Sequence, residues 1–193
     1  GKPIFGTTRA WDEFLLCLPP LRIAINLSAQ QLVNRGFCDQ ARLLLQSIDL
    51  KGWQIELEIT ESAIMQSPTR AAEFLHALKA MGFSLALDNF GTGYSSLSYL
   101  KRFPFDRLKI DRSFVHDVPD DDNDNALVQA IIQIGSSLGL DVVAEGVETA
   151  EQEAFLRNCA CAELQGFLYY KPMPGEAIEK LLAQTQAQKK SGS

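Results

Sequence analysis

The sequence has no run of about 20 consecutive apolar residues, which is the length that a membrane-spanning helix requires. Its first residues, Gly1 to Phe5, also lack the charged start and the apolar core of a signal peptide. These two absences argue against membrane insertion by this segment. They predict a cytoplasmic domain, either by itself or as the cytoplasmic part of a larger, membrane-attached protein.

Cysteine and histidine are scarce, and neither is arranged for metal binding. The four cysteines show no disulfide pattern and no zinc-binding spacing, so we interpret them as reduced thiols. Of the two histidines, His76 lies inside a predicted helix and His116 follows a predicted strand. We interpret both as packing or surface residues rather than as catalytic ones.

Positive charge is in short supply as well. The chain carries 18 lysines and arginines against 24 aspartates and glutamates, which gives a net charge of −6. This balance argues against DNA or RNA polymers as partners, because proteins that bind them carry basic stripes. A small phosphorylated ligand stays compatible with it, since bound metal ions reverse the sign of the charge locally.

The 193 residues, 46% of them hydrophobic, suit one domain with a substantial core. Short strand-like runs recur along the chain, separated by amphipathic helical segments. They cover residues 22–28, 55–61, 84–89, 107–111, 141–145 and 163–167. This alternation of strands and helices predicts βα units and a parallel sheet.

Several of the intervening helices have recognisable ends. Ser67-Pro68 is typical of a helix start, and Thr149 with Gln152 three residues later predicts a capping box. Apolar periodicity predicts a helix over Asn125–Leu138. The acidic run from Asp120 to Asp124 lacks the glycine and glutamate of a calcium-binding loop, so we interpret it as a solvated loop before that helix.

The pattern within the strands favours a barrel over a doubly wound sheet. Leu85 and Leu87 share one face of the third run, opposite Ser84, Ala86 and Asp88. A doubly wound sheet prefers strands that are apolar on both faces. Strands with one apolar face and one small or polar face indicate an α/β fold of the TIM-like (β/α)8 barrel type, whose inner face builds a site at the carboxyl ends of the strands.

A complete barrel of this type has eight strands, so about six of its eight βα units are recognisable here and the barrel is incomplete. The missing units would precede residue 20, where the sequence is too short to supply them. We therefore predict a lead-in segment at residues 1–19 with one helix from Thr8 to Leu18, a partial barrel at 20–183 and a disordered polar tail at 184–193.

Polar residues stand near the carboxyl end of every predicted strand, and a barrel would bring them together. They are Asn26, Glu58, Asp88 with Asn89, Lys109, Glu145 and Gln165. Carboxylate and amide oxygens suit hard cations such as Mg²⁺ or Mn²⁺ rather than zinc or copper. Acids around divalent ions, next to one lysine, predict a centre that cleaves phosphoesters.

Six short motifs follow one another along the chain. They are Asn26-Leu27-Ser28, Glu58-Ile59-Thr60-Glu61-Ser62, the glycine loop from Asp88 to Ser96, Lys109-Ile110-Asp111, the run from Ala144 to Thr149, and Gln165-Gly166. In these motifs, from about Ile23 to about Pro174, the sequence resembles the EAL-domain cyclic di-GMP phosphodiesterases of bacteria. The resemblance implies a modified (β/α)8 barrel that hydrolyses cyclic di-GMP to linear pGpG with Mg²⁺ or Mn²⁺.

The resemblance also implies roles for individual residues. It places Asn26, Glu58 and Asp88 on one metal ion, and Asp88, Asn89 and Glu145 on a second. Lys109 would position the attacking water near the phosphate, with Glu145 and Gln165 completing the catalytic set.

Further roles belong to the loops. Glu61 would anchor the loop from Phe90 to Ser96, which contains Gly91, Thr92 and Gly93. The two glycines permit a positive φ angle and a close approach of the backbone. Asp111 and Glu148 would contact the substrate or support the residues that do.

The sequence departs from the family pattern in two ways. It contains no Glu-Ala-Leu segment, which in the family supplies a metal carboxylate and a nearby ligand-binding arginine, and Asp88-Asn89 replaces two adjacent aspartates. Three carboxylates remain, on Glu58, Asp88 and Glu145. We therefore expect one metal ion to bind tolerably, the second to bind weakly, and the 193-residue chain by itself to show little or no phosphodiesterase activity.

The alternative function is a binding module that has lost catalysis and holds cyclic di-GMP as a signal or regulates a partner protein. For either function, we expect a homodimer and a parent polypeptide that adds sensory or GGDEF domains.

Overall fold

The computed structural model describes residues 22–34, 36–47, 50–92 and 100–191. The chain divides into two compact units, one formed by Ile23–Tyr170 and the other by Gly1–Arg22 with Lys171–Ser193. The predicted helix from Thr8 to Leu18 and the residue Gly93 lie outside the described residues.

The larger unit is built on a parallel sheet of six strands. The strands are Ile23–Asn26 (β1), Ile55–Thr60 (β2), Ser84–Phe90 (β3), Arg107–Ile110 (β4), Asp141–Glu145 (β5) and Glu163–Gln165 (β6). Each strand pairs in parallel with the next one along the chain, in the order β1-β2-β3-β4-β5-β6. This sequential order is that of a barrel wall, and it confirms the predicted incomplete TIM-like barrel.

Helices connect the strands. Within the described residues of this unit they are Ala29–Leu32 (α1), Phe37–Ser47 (α2), Glu61–Met65 (α3), Pro68–Ala80 (α4), Arg112–Val115 (α5), Asp122–Ser137 (α6) and Ala150–Asn158 (α7), together with a 3₁₀ turn at Gly52–Gln54. Parallel neighbours need such a crossover connection, because a tight hairpin cannot join them.

The apolar faces of the strands form the core. Ile59, Leu85, Leu108 and Ile110 are almost completely buried and pack with apolar side chains from the helices. The opposite face of the same strands carries Glu56 and other charged or small side chains. The two-residue period of the sequence therefore predicted both faces correctly.

The helix ends agree with the sequence in part. The capping box of Thr149 and Gln152 is confirmed at the start of α7. Helix α4 begins at Pro68 as predicted, but the Ser67 side chain makes no capping hydrogen bond.

The acidic run was interpreted wrongly. Helix α6 begins at Asp122, and the Asp121 side chain accepts hydrogen bonds from the backbone N–H groups of Asn123 and Asp124. Asp122 and Asp124 lie in the first helical turn, where the positive end of the helix dipole favours acids. The run is thus the start of the helix rather than a loop before it.

In the smaller unit, residues Gly175–Ser191 form one helix (α8). Residues 184–191, for which the sequence predicted a disordered tail, belong to this helix, and their glutamine, alanine and lysine residues all have good helix propensity. Within the described residues, no helix combines the length and apolarity that crossing a membrane would take.

Candidate active site

The carboxyl ends of the parallel strands lie on one edge of the sheet, so their polar residues share that edge. The pairing register places Asn26 beside Glu58 and Glu145 beside Gln165. Lys109 lies on β4, between the strands that carry the acids Asp88 and Glu145. The sheet thus brings all the predicted strand-end residues to one side of the barrel.

Lys109 is the centre of this site. Its Nζ lies 2.5 Å from Glu58 Oε1, 2.5 Å from Glu145 Oε1 and 3.8 Å from Asp88 Oδ1. The three acids come from three different strands, β2, β3 and β5. One ammonium group therefore contacts carboxylates from both of its neighbouring strands and from one strand further away.

The site is largely shielded from solvent, and its charges do not cancel. Only 4% of Lys109 and 8% of Glu58 and of Asp88 is exposed. Three carboxylates around one ammonium group leave two negative charges uncompensated among these four residues. Because buried charge is costly unless it is paired, the group favours an additional cation.

Two of the charged groups have shifted pKa values. Burial alone would lower the pKa of Lys109, but hydrogen bonds to Glu145 and Glu58 outweigh it and raise that pKa above its ordinary value. Burial is also the main reason that the pKa of Glu145 is raised, with the charges of Asp88 and Glu58 acting in the same direction and Lys109 opposing them. The lysine is therefore firmly protonated, and Glu145 is the acid whose ionisation the surroundings oppose.

Asn26 and Gln165 stand at the margin of this group. Both are exposed at the ends of their strands. Among the described residues, neither side chain hydrogen-bonds to the Lys109 group. The sheet brings them to the same edge, but it does not join them to the charged cluster.

The turn after β3 has an unusual backbone. Asn89 has a φ of +54° and Gly91 a φ of +95°. Asp88 Oδ1 accepts a hydrogen bond from the Asn89 backbone N–H at 3.0 Å, and the Thr92 hydroxyl donates to the Asn89 carbonyl at 2.8 Å. Because asparagine and glycine tolerate left-handed conformations, these residues allow the chain to turn sharply next to Asp88.

The remaining predicted residues lie in the segments that follow the strands. Glu61 is buried as the first residue of α3, directly after β2. Asp111 follows β4 and caps α5, where its side chain accepts a hydrogen bond from the Ser113 backbone N–H at 2.8 Å. Glu148 is exposed in the loop after β5. All three residues thus lie just after the carboxyl ends of their strands, and their predicted roles stay predictions.

The donor chemistry of the site fits a hard divalent cation, because its ligands are oxygens and its charge balance is negative. In the described part of the chain, however, no three histidine, cysteine, aspartate or glutamate side chains are grouped so as to hold one metal ion. The three carboxylates pair with the Lys109 ammonium instead, those of Glu58 and Glu145 most closely. Binding a cation would therefore require part of this pairing to be exchanged.

A second charged group lies at the opposite end of the strands, and the sequence analysis missed it. Arg107 Nε lies 3.2 Å from Glu56 Oε2, and its terminal nitrogens pair with both carboxylate oxygens of Glu163. Ser84 also donates to Glu56, at 3.2 Å. The two-residue period could have revealed this group, because its members lie on the same strand faces as the predicted site residues. Each stands two positions earlier in its strand: Glu56 before Glu58, Arg107 before Lys109, and Glu163 before Gln165.

The family model described as the EAL domain matches residues 5–172. The chain belongs to the EAL domain family. The match includes all six strands and the polar residues at their carboxyl ends.

Relatives and solved structures agree with this assignment. The cyclic di-GMP phosphodiesterase NbdA of Pseudomonas aeruginosa is 45% identical over 162 residues, which cover 84% of this chain and 21% of NbdA. The structure of the PaMucR phosphodiesterase with c-di-GMP is 46% identical, with a TM-score of 0.78, and the match covers 81% of this chain and 64% of that one. Klebsiella pneumoniae BlrP1, solved with manganese and cyclic di-GMP, is 31% identical with a TM-score of 0.74, over 83% of this chain and 41% of BlrP1.

The chain spans about a fifth to a quarter of the length of the curated relatives that it matches. Its similarity to them is therefore a similarity to one domain of longer signalling proteins. Members of this EAL family named as cyclic di-GMP phosphodiesterases are hydrolases.

Proposed function

We propose that this EAL domain binds cyclic di-GMP and hydrolyses one phosphodiester bond to give linear pGpG, in a reaction that depends on Mg²⁺ or Mn²⁺. The observation that carries the proposal is the Lys109 ammonium among the carboxylates of Glu58, Asp88 and Glu145 at the strand ends. Relatives named as cyclic di-GMP phosphodiesterases, and neighbours solved with that nucleotide and with manganese or calcium, support the choice of substrate and cation.

Five residues at the strand ends would hold the two cations. Asn26, Glu58 and Asp88 would hold one cation, and Asp88, Asn89 and Glu145 the other. When bound, the ions activate a water molecule and stabilise negative charge on the phosphate oxygens.

Lys109 would act on the reacting groups directly. At present its N–H donors are directed to Glu58 and Glu145. With Glu58 or Glu145 holding a cation, Lys109 would direct an N–H to the attacking water or to a phosphate oxygen. Gln165, at the exposed end of β6, would orient the same water through its side-chain amide.

Asn89 is the observation that favours the alternative function. An amide oxygen can coordinate a cation, but it brings no charge to the second position. We therefore expect little turnover by the 193-residue chain, and a receptor that holds cyclic di-GMP without cleaving it is the second candidate.

The two candidates differ in one pair of measurements. Calorimetry of the chain with cyclic di-GMP measures binding, and chromatography of the nucleotide after incubation with Mn²⁺ measures pGpG. Binding with slow, Mn²⁺-dependent formation of pGpG supports the enzyme, and binding without product supports the receptor. Absence of binding contradicts both.

A matched pair of variants tells this site from contaminating activity. Glu145→Gln removes a carboxylate from the Lys109 group, whereas Glu153→Gln removes a partly exposed one that pairs with Arg157 on helix α7. We expect the first to abolish product formation and the second to leave it unchanged. Equal activity of both variants would contradict the assignment of the site.

The parent polypeptide belongs to the same proposal. We propose that sensory or GGDEF domains accompany this domain, as in the relative named a bifunctional diguanylate cyclase and cyclic di-GMP phosphodiesterase. We also propose that the domain acts in the cytoplasm as a homodimer.

A further inference from the structure

The side chain of Gln152 contacts three backbone groups at once. Its Oε1 accepts hydrogen bonds from the N–H of Glu148 at 2.7 Å and from the N–H of Thr149 at 3.0 Å, and its Nε2 donates to the carbonyl of His116 at 3.0 Å. Only 5% of Gln152 is exposed. A buried amide with both ends satisfied by backbone is well fixed in place.

Helix capping explains one of these three contacts. The bond from the Thr149 N–H to Oε1, together with the bond from the Gln152 N–H to the Thr149 hydroxyl at 3.2 Å, forms the capping box of α7. The N–H of Glu148, the residue before the cap, donates to the same oxygen. The bond from Nε2 is not part of that motif, because His116 lies 36 residues earlier in the chain. It joins two different strand connections.

The two connections are those that follow Lys109 and Glu145. His116 directly follows α5, the short helix after β4, and the loop of residues 146–149 follows β5. They are also in close contact at Gly146, where an added Cβ atom would lie 2.6 Å from the Cβ of Arg112. Gln152 therefore fastens the segment after Glu145 to the segment after Lys109.

The loop after β5 is fixed on its other side as well. The Val147 N–H donates to the Gln165 carbonyl at 3.0 Å, and the Leu168 N–H donates to the Val147 carbonyl at 3.0 Å. The contact is so close that a Cβ atom on Gly166 would lie 2.0 Å from the Val147 oxygen. Through this loop, Gln152 is linked to the ends of three strands, β4, β5 and β6.

We propose that Gln152 is a positioning residue of the active site. By tying the loop after β5 to the carbonyl of His116, it keeps Glu145 against Lys109 and in place for a divalent cation. The cation part of this inference rests on the proposed function, whereas the effect on the Glu145–Lys109 pair does not.

A conservative substitution isolates this role. Gln152→Glu keeps an oxygen that accepts from Glu148 and Thr149, as glutamate does in capping boxes, but it lacks the N–H that donates to His116. Thr149→Ala is the matched control, because it removes the other half of the capping box and leaves the contact with His116 intact. Thr149→Ala weakens the start of α7 but leaves the two connections joined, whereas Gln152→Glu keeps the capping oxygen and separates them.

Two measurements on the 193-residue chain report the result. The first is the exchange of the Lys109 ammonium protons with water, followed by NMR in metal-free protein, because pairing with Glu145 slows that exchange. We expect Gln152→Glu to speed it roughly tenfold and Thr149→Ala to leave it near the unsubstituted rate.

The second measurement is the dissociation constant for Mn²⁺, from the electron paramagnetic resonance signal of the free ion. We expect Gln152→Glu to weaken Mn²⁺ binding about tenfold or more, as the loss of a group that orients a metal ligand does elsewhere. The added negative charge would by itself strengthen Mn²⁺ binding, so weaker binding reports lost positioning. Thr149→Ala should change the constant by less than about twofold.

The outcomes separate the two ideas. If the unsubstituted chain binds no Mn²⁺, the proposed function fails, and the ammonium exchange still decides the role of Gln152. If the exchange rates of Gln152→Glu and Thr149→Ala are the same, the positioning role is overturned. Faster exchange with unchanged Mn²⁺ affinity also overturns it, because Gln152 would then stabilise the loops without serving the site.

Discussion

Lys109 is a buried cation whose removal has a clear energetic consequence. Substitution by methionine would keep most of its volume but leave Glu58, Asp88 and Glu145 facing one another without it. We expect Lys109→Met to lower the free energy of unfolding by about 3–5 kcal/mol at neutral pH without divalent ions, because breaking a buried ion pair leaves uncompensated charge. Chemical denaturation measures this loss.

Lys79 provides the control for that substitution. It pairs with Asp106, but both side chains are more than one third exposed. We expect Lys79→Met to cost no more than about 1 kcal/mol, as for other solvent-exposed pairs. Addition of Mn²⁺ should recover part of the stability of Lys109→Met and none of that of Lys79→Met, and equal losses in the two variants would contradict the charge balance described for the site.

Asn89 sets the charge available to a second cation. We expect Asn89→Asp to strengthen binding of the weaker Mn²⁺ ion in a parent polypeptide that carries the Glu-Ala-Leu segment, because a carboxylate replaces a neutral amide beside Asp88. Asn89→Gly is the control, since it accepts the φ of +54° and brings no charge. A titration with two resolved binding steps tests this, and unchanged affinity of the weaker step would refute it.

At the scale of the elements, the ends of β5 and β6 are held together by direct backbone contact. Gly166 follows β6, and the space that its Cβ atom would need is already filled by the Val147 backbone. Since backbone cannot move aside as a flexible side chain does, the loop after β5 and the end of β6 form one packed piece. The position of Gln165 therefore depends on Gly166, which allows the end of β6 to pack against Val147.

This contact gives a further expectation. Gly166→Ala should destabilise the domain by about 1–3 kcal/mol, the usual cost of overpacking, and should also weaken Mn²⁺ binding. Gly175→Ala is the matched control at the start of α8, where an added Cβ atom meets nothing within 4 Å. Thermal unfolding of the two variants measures the difference, and equal melting temperatures would contradict the close packing.

Across the whole half-barrel, charged side chains from alternate strands form two layers. One layer joins Arg107 to Glu56 and Glu163 near the amino ends of the strands, and the other joins Lys109 to Glu58 near the carboxyl ends. Asp88 and Glu145, near the ends of the intervening strands, also reach Lys109. Such layers from alternate strands are characteristic of TIM barrels. The small, buried Ala86 and Val143 lie on the intervening strands.

The layer near the amino ends should stabilise the barrel without taking part in metal binding. We expect Arg107→Met to cost about 3–5 kcal/mol, because Glu56 would lose its arginine in a buried setting. Arg157→Met, which breaks the pair between the exposed Arg157 and the partly exposed Glu153, should cost far less than Arg107→Met. Unlike the loss in Lys109→Met, the loss in Arg107→Met should not be recovered by Mn²⁺, and recovery would show that the two layers are not separate.

The sequence predicted more of the fold than of the contacts. All six strands were located to within about two residues, and the capping box at Thr149 was correct, because strand period and capping residues are local signals. The acidic run before α6 was misread, since the same aspartates suit both a loop and a helix start. Residues 184–191 lie in helix α8, and a polar composition alone does not distinguish such a helix from a disordered tail.

The contacts within the site could not be predicted from local sequence patterns. The sequence by itself determined which side chains stand at the strand ends and that their oxygens suit a hard cation, because both follow from residue type and a two-residue period. Only the tertiary structure decided that Lys109 pairs with Glu58 across 51 residues, that Arg107 reaches Glu163 across 56, and that Gln152 reaches His116 across 36. Distances between residues so far apart in sequence are set by how strands and loops pack in space, and no local pattern encodes them.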